Sequence, residues 1–284
     1  MRKRKILILS ITIVAVALIL ETCILQFVND KNAQTTSNVL LDRVIAVIDK
    51  NESIESEFVK SLKDDYIVRA KAISYIVDAK PEVEYDVDEL QKIAGLMSVD
   101  EIHFIDDTGT IYSGSLPKYF GYSFDSGEQM AFFKQMLNNY DLTLCQDVTP
   151  NTAEAKEMMY AITWNVSKTH MVQVGITPKR LLKELKRNQI SNVVADMPVY
   201  KGMEIYVVDA KTKKILGATD ASWDGNTAHF NHKGYRFVKR KHGDYIVAVC
   251  MSKSMNAQIN IVAICIVGIY LTLASCLLVL MLSR

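Results

Sequence analysis

The sequence contains none of the short motifs that mark the common enzyme classes. It has no glycine-rich phosphate loop, no G-x-S-x-G nucleophile turn and no H-E-x-x-H zinc-protease helix. Carboxylates cluster between Glu82 and Glu89, but they fall at the start of a predicted helix, where acidic side chains interact favourably with the helix dipole. We therefore expect this chain to have no catalytic residues and no cofactor.

Cysteine is scarce, with five in 284 residues. Cys23, Cys265 and Cys276 lie in long apolar runs, where a thiol behaves as a small apolar residue. Cys145 and Cys250 lie between those runs and could pair in an oxidising compartment. Each, however, is inside an apolar, strand-like stretch, and the two belong to different halves of the intervening segment. We expect two buried free thiols.

Histidine is also rare, yet His229, His232 and His242 are close together in the sequence. Short spacings of this kind occur in zinc sites. The same stretch is basic, and its cations would repel a metal dication. The basic residues are Lys233, Arg236, Lys239, Arg240 and Lys241. We expect no metal here, and we expect these residues to lie on a solvated strand edge or to contact anionic lipid headgroups.

Two long apolar runs are present, and each can cross a bilayer, which takes about 20 residues. The first covers residues 6–28 and is interrupted only by Glu21, which we place at the outer interface. The second covers residues 258–282 and carries no charge. A cleavable signal peptide would also begin in this way, but the residues after Leu20 offer no Ala-x-Ala pattern. We therefore predict two transmembrane helices, the first an uncleaved anchor.

Basic residues set the predicted orientation of the two spans. Residues 1–5 include four cations and residues 283–284 include Arg284, so both tips are expected in the cytoplasm and residues 29–257 outside it. Setting these five cations and Glu21 aside from the 33 basic and 32 acidic side chains leaves 28 and 31. The extracytoplasmic segment thus has a net charge of about −3, which argues against a nucleic-acid partner.

Proline and glycine are absent from about Ala33 to Lys80, and apolar residues recur there at steps of three and four. The apolar positions are Leu41, Val44, Ile48, Phe58, Leu62, Tyr66, Ala70, Ile73 and Val77. This period predicts one long helix over residues 29–80, which Pro81 ends. A break near Asn51, giving two helices, stays open. A pattern this long suggests a coiled coil or a helix laid along stacked modules.

Two stretches of the chain are close copies of each other. EIHFIDDTGTIYSGS begins at Glu101 and EIYVVDAKTKKILGAT begins at Glu204. Each reads as a strand, a polar turn and a second strand, which predicts equivalent β-hairpins in two related modules. We expect the first module over residues 81–177 and the second over residues 199–257.

Further elements are predicted around each hairpin. In the first module we expect helices over 86–99 and 126–138 and strands over 142–147, 158–166 and 171–176. A connecting helix is expected over 178–198, because Pro178 favours a helix start. In the second module the hairpin strands, 203–209 and 214–219, are followed by strands over 235–239 and 244–251. Antiparallel strands with helices grouped on one side predict an α+β fold.

This architecture resembles the double Cache sensors of bacteria, whose extracytoplasmic part holds two PAS-like units. The resemblance covers the whole chain, and DDYIVRAKAISYIVDAKPE ahead of VDEIHFIDDTGTI looks particularly like such sensors in Firmicutes. It implies two tandem PAS-like units with antiparallel sheets, stacked on the long helix. It also implies that the membrane-distal unit binds a small ligand and that the signal crosses to a histidine kinase, diguanylate cyclase, phosphatase or chemotaxis output.

Two features depart from that family. The sequence holds no output domain, so we expect either the input half of a longer receptor or a receptor that signals through a partner. No arginine occurs between Arg69 and Arg180, whereas amino-acid-binding members hold the carboxylate with an arginine in the distal unit. An amino-acid ligand is therefore not expected.

The distal unit contains a set of aromatic and polar residues suited to a small-ligand cleft. The candidates are Tyr112, Tyr119, Tyr122, Asp147, Tyr160, Trp164 and His170. The alternative for each is that it fills the core between sheet and helix, since buried aromatic residues are ordinary core material.

We expect the chain to be the ligand-sensing region of a membrane receptor. The alternative is a membrane-anchored envelope protein whose modules bind a protein partner. Gly268, Thr272 and Cys276 have the spacing of small residues that let helices approach closely. This pattern fits a homodimer formed through the long helix and the transmembrane helices.

Overall fold

The structure is a computed structural model that describes residues 2–231, 234–253 and 257–283. Its α-helices are α1 (Arg2–Ala79), α2 (Val87–Leu96), α3 (Glu128–Ala131), α4 (Lys179–Arg187), α5 (Ile190–Ala195) and α6 (Ala257–Ser283). Short 3₁₀ helices cover Pro81–Tyr85, Pro117–Tyr119, Phe132–Asn138 and Ala221–Trp223. The strands are β1 (Glu101–Ile105), β2 (Ile111–Gly114), β3 (Thr143–Cys145), β4 (Thr149–Pro150), β5 (Glu157–Trp164), β6 (Met171–Ile176), β7 (Met203–Asp209), β8 (Ile215–Ala218), β9 (Tyr235–His242) and β10 (Tyr245–Ser252).

The chain divides into two compact units, each with one antiparallel sheet. Glu52–Lys186 forms the six-strand unit, in which the strand order is β2-β1-β6-β5-β3 and β4 pairs with β5. Met1–Asn51 with Arg187–Arg284 forms the four-strand unit, in which the order is β8-β7-β10-β9. The expected α+β fold with two antiparallel sheets is confirmed.

The two copied stretches form equivalent hairpins, as predicted. Each hairpin is irregular at the same place, between Phe104 and Ile105 in one copy and between Val207 and Val208 in the other. In each copy a 3₁₀ helix follows the hairpin. An isolated β-bridge joins a residue before the second hairpin strand to a residue after this 3₁₀ helix, Thr110 to Ser123 in one copy and Lys214 to Thr227 in the other. The similarity therefore extends beyond the quoted residues. The order β2-β1-β6-β5 also matches β8-β7-β10-β9.

In the six-strand unit, α1 covers one face of the sheet. Tyr66, Ala70, Ile73 and Val77 of α1 are buried against strand residues. The strand residues on this face include Ile102, Phe104, Met159, Ala161, Val172 and Val174. Burying a Val, Ile, Met or Phe side chain contributes about 1.5–3 kcal/mol to the free energy of unfolding. The hydrophobic effect is therefore the main interaction that holds α1 on this face of the sheet. The opposite face packs under α3 and the 3₁₀ helix Phe132–Asn138, which contribute Met130, Phe133 and Met136.

The four-strand unit follows the same plan with an earlier part of α1. Leu40, Leu41, Val44 and Ile48 are buried against one face of its sheet. The strand residues on this face include Ile205, Val207, Val247 and Val249. The helical period predicted for the segment is therefore the period of a buried stripe.

Helix α1 is continuous from Arg2 to Ala79, so the alternative of a break near Asn51 is wrong. It ends at Ala79, two residues before Pro81, which begins a 3₁₀ turn. Helix α2 then begins after Asp86, whose Oδ1 accepts a hydrogen bond from the Glu89 N–H at 3.0 Å. This is the N-cap interaction that a helix start requires.

Two predicted helices differ from the structure. The expected helix over 126–138 is α3, of only four residues, followed by a 3₁₀ helix. The expected helix over 178–198 is two helices, because Gln189 adopts φ −54° and ψ 136°. Among the strands, β6 has the predicted bounds, and the sheet of the first unit gains the short strand β4.

Strand β9 is an edge strand, as expected. Part of its basic surface, however, forms ion pairs with acidic residues of α1. Arg236 lies 2.8 Å from Asp30, and His242 lies 2.6 Å from Asp49. Arg240 forms a third pair with Asp42. Exposed pairs of this kind contribute little each, and the direction of β9 is set by its antiparallel pairing with β10.

Two helices are long and apolar enough to cross a membrane by length and composition. They are the N-terminal part of α1, with a mean hydropathy of 2.6, and Asn260–Leu277 of α6, with 2.2. Their apolar side chains are largely exposed, as residues that face lipid would be; Ile19 is 64% exposed and Ile269 is 59% exposed. The Asn29 Nδ2 donates a hydrogen bond to the Asn260 Oδ1 at 2.8 Å, at the ends of the two apolar segments.

Cys145 and Cys250 are both buried and free, as expected. Burial raises the pKa of each thiol to about 12. Neither thiol is therefore ionised near neutral pH, and neither is a nucleophile.

The close approach of β2 to β1 gives a stability prediction. A Cβ at Gly114 would lie 2.3 Å from the backbone oxygen of Ile102, whereas a Cβ at Gly95 in α2 meets nothing within 4 Å. We expect Gly114→Ala to lower the free energy of unfolding by about 2–3 kcal/mol. Gly95→Ala should raise it by about 0.4–1 kcal/mol, because alanine restricts the unfolded chain. Thermal unfolding of the full chain in nanodiscs measures both, and equal effects would contradict the hairpin geometry.

Candidate functional site

A small cavity lies on the face of the six-strand sheet that points away from α1. Alternation along β1 places Glu101 and His103 on this face, because Ile102 and Phe104 point to the helix side. Tyr160 of β5 and Gln173 of β6 lie beside them. The residues around the cavity include His103, Tyr119, Tyr122, Asn151, Tyr160 and Gln173. We call this place the Glu101 site.

Glu101 is the central group of the site and is only 3% exposed. The Tyr160 hydroxyl donates a hydrogen bond to its Oε2 at 3.0 Å. The Tyr119 hydroxyl lies 3.3 Å from Oε1, and the Nε2 of His103 lies 3.5 Å from Oε2. A buried carboxylate is stable only when such partners compensate for the lost water.

His103 is held neutral by its surroundings. Burial lowers its pKa below the ordinary 6.5, against the smaller opposing effects of Glu101 and Gln173. Its Nδ1 lies 3.1 Å from the Gln173 Oε1, and its Nε2 faces the Glu101 Oε2 at 3.5 Å.

Two buried polar atoms at this site have no hydrogen-bond partner among the described residues. They are the Nε2 of His103 and the Nε2 of Gln173. The cavity beside them has a volume of about 20 Å³, room for about one water molecule. A polar group placed there would lie beside the ring of His103 and the amide of Gln173. The site therefore matches a small polar molecule.

The cover of the cavity is held by a short chain of polar contacts. Tyr119 has one hydroxyl proton, and its shorter contact is with the Glu154 Oε2 at 3.0 Å. The Oε1 of Glu154 in turn pairs with Lys118 at 2.5 Å. Lys118 and Glu154 are about half exposed. Water can therefore replace these outer contacts at little cost.

The structure brings together three of the sequence-predicted residues, Tyr119, Tyr122 and Tyr160. The rings of Tyr119 and Tyr122 pack edge to face with centroids 6.2 Å apart. Trp164 lies elsewhere on the same face, where its Nε1 donates to the Met136 carbonyl at 3.1 Å.

The other predicted residues are not at this site. Tyr112 lies on the helix side of the sheet, where its hydroxyl donates to Glu84 and its ring contacts His170 with centroids 6.4 Å apart. Asp147 is exposed and pairs with Lys63 at 2.7 Å.

Sequence reasoning missed the polar centre of the site, Glu101, His103 and Gln173. A signal was present, since each is a polar residue inside a strand whose burial is complete on both faces. Such a residue breaks an apolar run without breaking the strand. Buried polar groups need partners, so their alternation with apolar residues points to a shared polar cluster.

No group of three or more metal-ligating side chains is close enough to hold an ion in the described part of the chain. Of the three clustered histidines, His232 lies outside the described residues, and His242 is paired with Asp49.

No protein-family model matches the chain, and no curated protein matches it in sequence. Several solved structures align with the chain. One is the sensor domain of the histidine kinase DctB from V. cholerae, which is 9% identical in sequence. That alignment covers 75% of this chain and 98% of the DctB domain, with a TM-score of 0.39. The ligand-binding domain of the Campylobacter jejuni chemoreceptor Tlp3, in complex with 4-methylisoleucine, aligns at 13% identity, 77% and 92% coverage and a TM-score of 0.40. The ligand-binding domain of Mlp24 with asparagine aligns at 8% identity, 80% and 98% coverage and a TM-score of 0.38.

The depressed pKa of His103 predicts how stability depends on pH. As the pH falls below 6.5, the unfolded chain binds a proton at this histidine and the folded chain does not. The folded state should therefore lose up to about 1.4 kcal/mol per pH unit until the pH reaches the lower folded pKa. We expect the melting temperature of the wild-type chain to fall more between pH 7.5 and 5.5 than that of His103→Gln. Parallel pH profiles would show that His103 is not neutral when folded.

Proposed function

We propose that this chain is the extracytoplasmic small-ligand sensor region of a bacterial membrane receptor. The Glu101 site would bind the ligand, and the two apolar helices would hold the sensor in the membrane. The observation that carries this proposal is a buried cavity with unpaired hydrogen-bonding atoms, His103 Nε2 and Gln173 Nε2. The segment that builds it lies in the chain between two helices able to cross a bilayer.

The small volume of the cavity suggests how binding would produce a signal. A molecule larger than water cannot enter unless the cover around Tyr119 moves away from Glu101. The ligand would then bind an open arrangement more tightly than the closed one. A difference in affinity between two arrangements is what a signalling ligand requires.

A path for the signal begins at the sheet itself. Tyr160 and Gln173 of the site lie on β5 and β6, and the next residues of these strands, Ala161 and Val174, are buried against α1. Movement of these strands would therefore act on Ile73 and Val77 of α1. Packed interfaces shift between discrete arrangements, so a small displacement can pass along the helix.

The proposal places both chain ends in the cytoplasm and the two sheets outside it, as the basic residues at the ends favour. The output would be a histidine kinase, diguanylate cyclase, phosphatase or chemotaxis domain on a longer chain or a partner. A homodimer through α1 and α6 fits the small residues of α6, Gly268, Thr272 and Cys276.

Ligand binding is tested by thermal unfolding of the full chain in nanodiscs with a library of small amines, alcohols, sugars and carboxylates. A compound at 100 times its Kd stabilises the native state by about 2.7 kcal/mol, which raises the melting temperature by a few degrees. We expect Tyr160→Phe and Glu101→Gln to remove most of this shift. Tyr112→Phe is the matched control, because Tyr112 also donates to a carboxylate but on the other face.

Equal loss of the shift in Tyr112→Phe and Tyr160→Phe would place the ligand away from the Glu101 site. A library without any stabilising compound, together with a specific envelope protein crosslinked to the chain, would instead support the alternative of a module that binds a protein partner.

The orientation is tested by cysteine labelling in intact cells. Ser167 is exposed between β5 and β6, whereas Cys145 and Cys250 are buried. We expect a membrane-impermeant maleimide to label Ser167→Cys in intact cells and to leave the wild type at background. Labelling only after the cells are permeabilised would reverse the proposed orientation.

A further inference from the structure

The four-strand unit contains a larger cavity that the proposed sensor function does not use. It lies on the sheet face away from α1, between Tyr206, Ile215 and Cys250 on the strands and the segment from Trp223 to Phe230. Its volume is about 310 Å³, compared with about 20 Å³ at the Glu101 site. Pockets that hold small organic molecules begin at about this size.

The walls of this cavity are mostly aromatic. Its aromatic residues are Tyr206, Trp223, Phe230, Tyr235 and Phe237. Tyr206 and Trp223 meet edge to face with centroids 6.3 Å apart, and Phe230 and Phe237 do so at 5.9 Å. Trp223 is 46% exposed, so one wall of the cavity is open to solvent. Aromatic faces carry negative electrostatic potential, which attracts organic cations.

Glu204 supplies a carboxylate to the same cavity. The Tyr206 hydroxyl donates a hydrogen bond to its Oε2. Burial and the neighbouring Glu204 raise the pKa of Tyr206, so this hydroxyl remains a donor at physiological pH. Among the described residues, no cationic side chain forms an ion pair with Glu204. The carboxylate therefore retains acceptor capacity for a cation that enters the cavity.

The other charges near the cavity have both signs. Asp220 is the N-cap residue of the 3₁₀ helix Ala221–Trp223, and its negative charge helps to raise the pKa of Tyr206. Lys239 is a nearby cation, with its Nζ 5.0 Å from the centre of the Phe230 ring, and His229 also lines the cavity.

The repeat explains why this cavity is larger than the one at the Glu101 site. The copied stretches align Glu204 with Glu101 and Tyr206 with His103, and the equivalent 3₁₀ helices align Trp223 with Tyr119. In the six-strand unit, α3 and the 3₁₀ helix after it fill the space above the sheet. In the four-strand unit, the described residues between β8 and β9 form only the 3₁₀ helix Ala221–Trp223. The four-strand unit therefore has the same strand arrangement and the same carboxylate as the six-strand unit, but a smaller described segment covers its sheet.

We propose that the cavity of the four-strand unit binds a small organic ammonium, with its cationic group on Glu204 and its apolar body against Trp223 and Phe230. This is a second binding site, separate from the Glu101 site. A charge-assisted hydrogen bond and aromatic contact together favour such a ligand over a neutral molecule of the same shape.

The test uses the intrinsic fluorescence of the full chain in nanodiscs. The chain has two tryptophans, and Trp164 lies in the six-strand unit, so a Trp164→Phe background leaves Trp223 as the reporter. The probes are 2-phenylethylammonium, the neutral 2-phenylethanol and the anionic 3-phenylpropionate. We expect a saturable change with the ammonium, a Kd at least about tenfold higher for the alcohol, and no binding of the carboxylate.

Three substitutions locate the bound group. Glu204→Gln should raise the Kd for 2-phenylethylammonium at least about tenfold. Lys239→Gln removes a like charge and should leave the Kd unchanged or lower it. Glu101→Gln should leave it unchanged, which separates this site from the Glu101 site. Equal affinity for ammonium and alcohol, no saturable response, or an unaltered Kd in Glu204→Gln would overturn the proposal.

A second readout covers the case in which Glu204→Gln does not fold. Trp223→Leu changes a half-exposed side chain, and calorimetric titration does not depend on its fluorescence. We expect this variant to bind 2-phenylethylammonium about threefold to thirtyfold more weakly than the wild type. Wild-type affinity in Trp223→Leu would show that the aromatic wall does not hold the ligand.

Discussion

The structure depends on α1 to bury one face of each sheet. An antiparallel sheet of four to six strands has two faces, and at least one must be removed from water for the sheet to be stable. In each unit a stripe of α1 provides that cover, through Ile73 and Val77 in one case and Leu41 and Val44 in the other. Because α1 holds one face, the other face is free to carry polar groups and cavities. Both candidate sites lie on that second face.

Most of the fold could be predicted from the sequence where an element is held by its own periodicity. Strand β6 and the hairpin strand β7 have their predicted bounds, because each is an apolar run between strong turn residues. Most of the segment expected to be an α-helix over 126–138 is a 3₁₀ helix. The three-residue period of that helix places Phe133 and Met136 on one buried side. Packing, and not local propensity, decides between the two helix types here. The break at Gln189 carries no proline or glycine to signal it.

The candidate site was less predictable than the fold, because its central residues are polar residues that interrupt the apolar pattern of a strand. Tyr119, Tyr122 and Tyr160 stood out as aromatic residues, and the structure places them around one cavity. Glu101 and Gln173 did not stand out, because a single polar residue in an apolar strand also occurs at solvent-facing positions. Only the pairing of β1 with β6, which puts His103 opposite Gln173, shows that these polar residues share one buried place.

The two copies show how the covering segment changes the free volume above a shared sheet arrangement. Strand order, the irregularity in the hairpin and the carboxylate at the start of the first strand are the same in both units. The covering segments differ, and with them the free volume changes from about 20 to about 310 Å³. Covering loops tolerate insertions and sequence changes better than the strands that they connect. A duplicated module of this kind can therefore acquire a new ligand by altering its cover while its sheet continues to pack on the same helix.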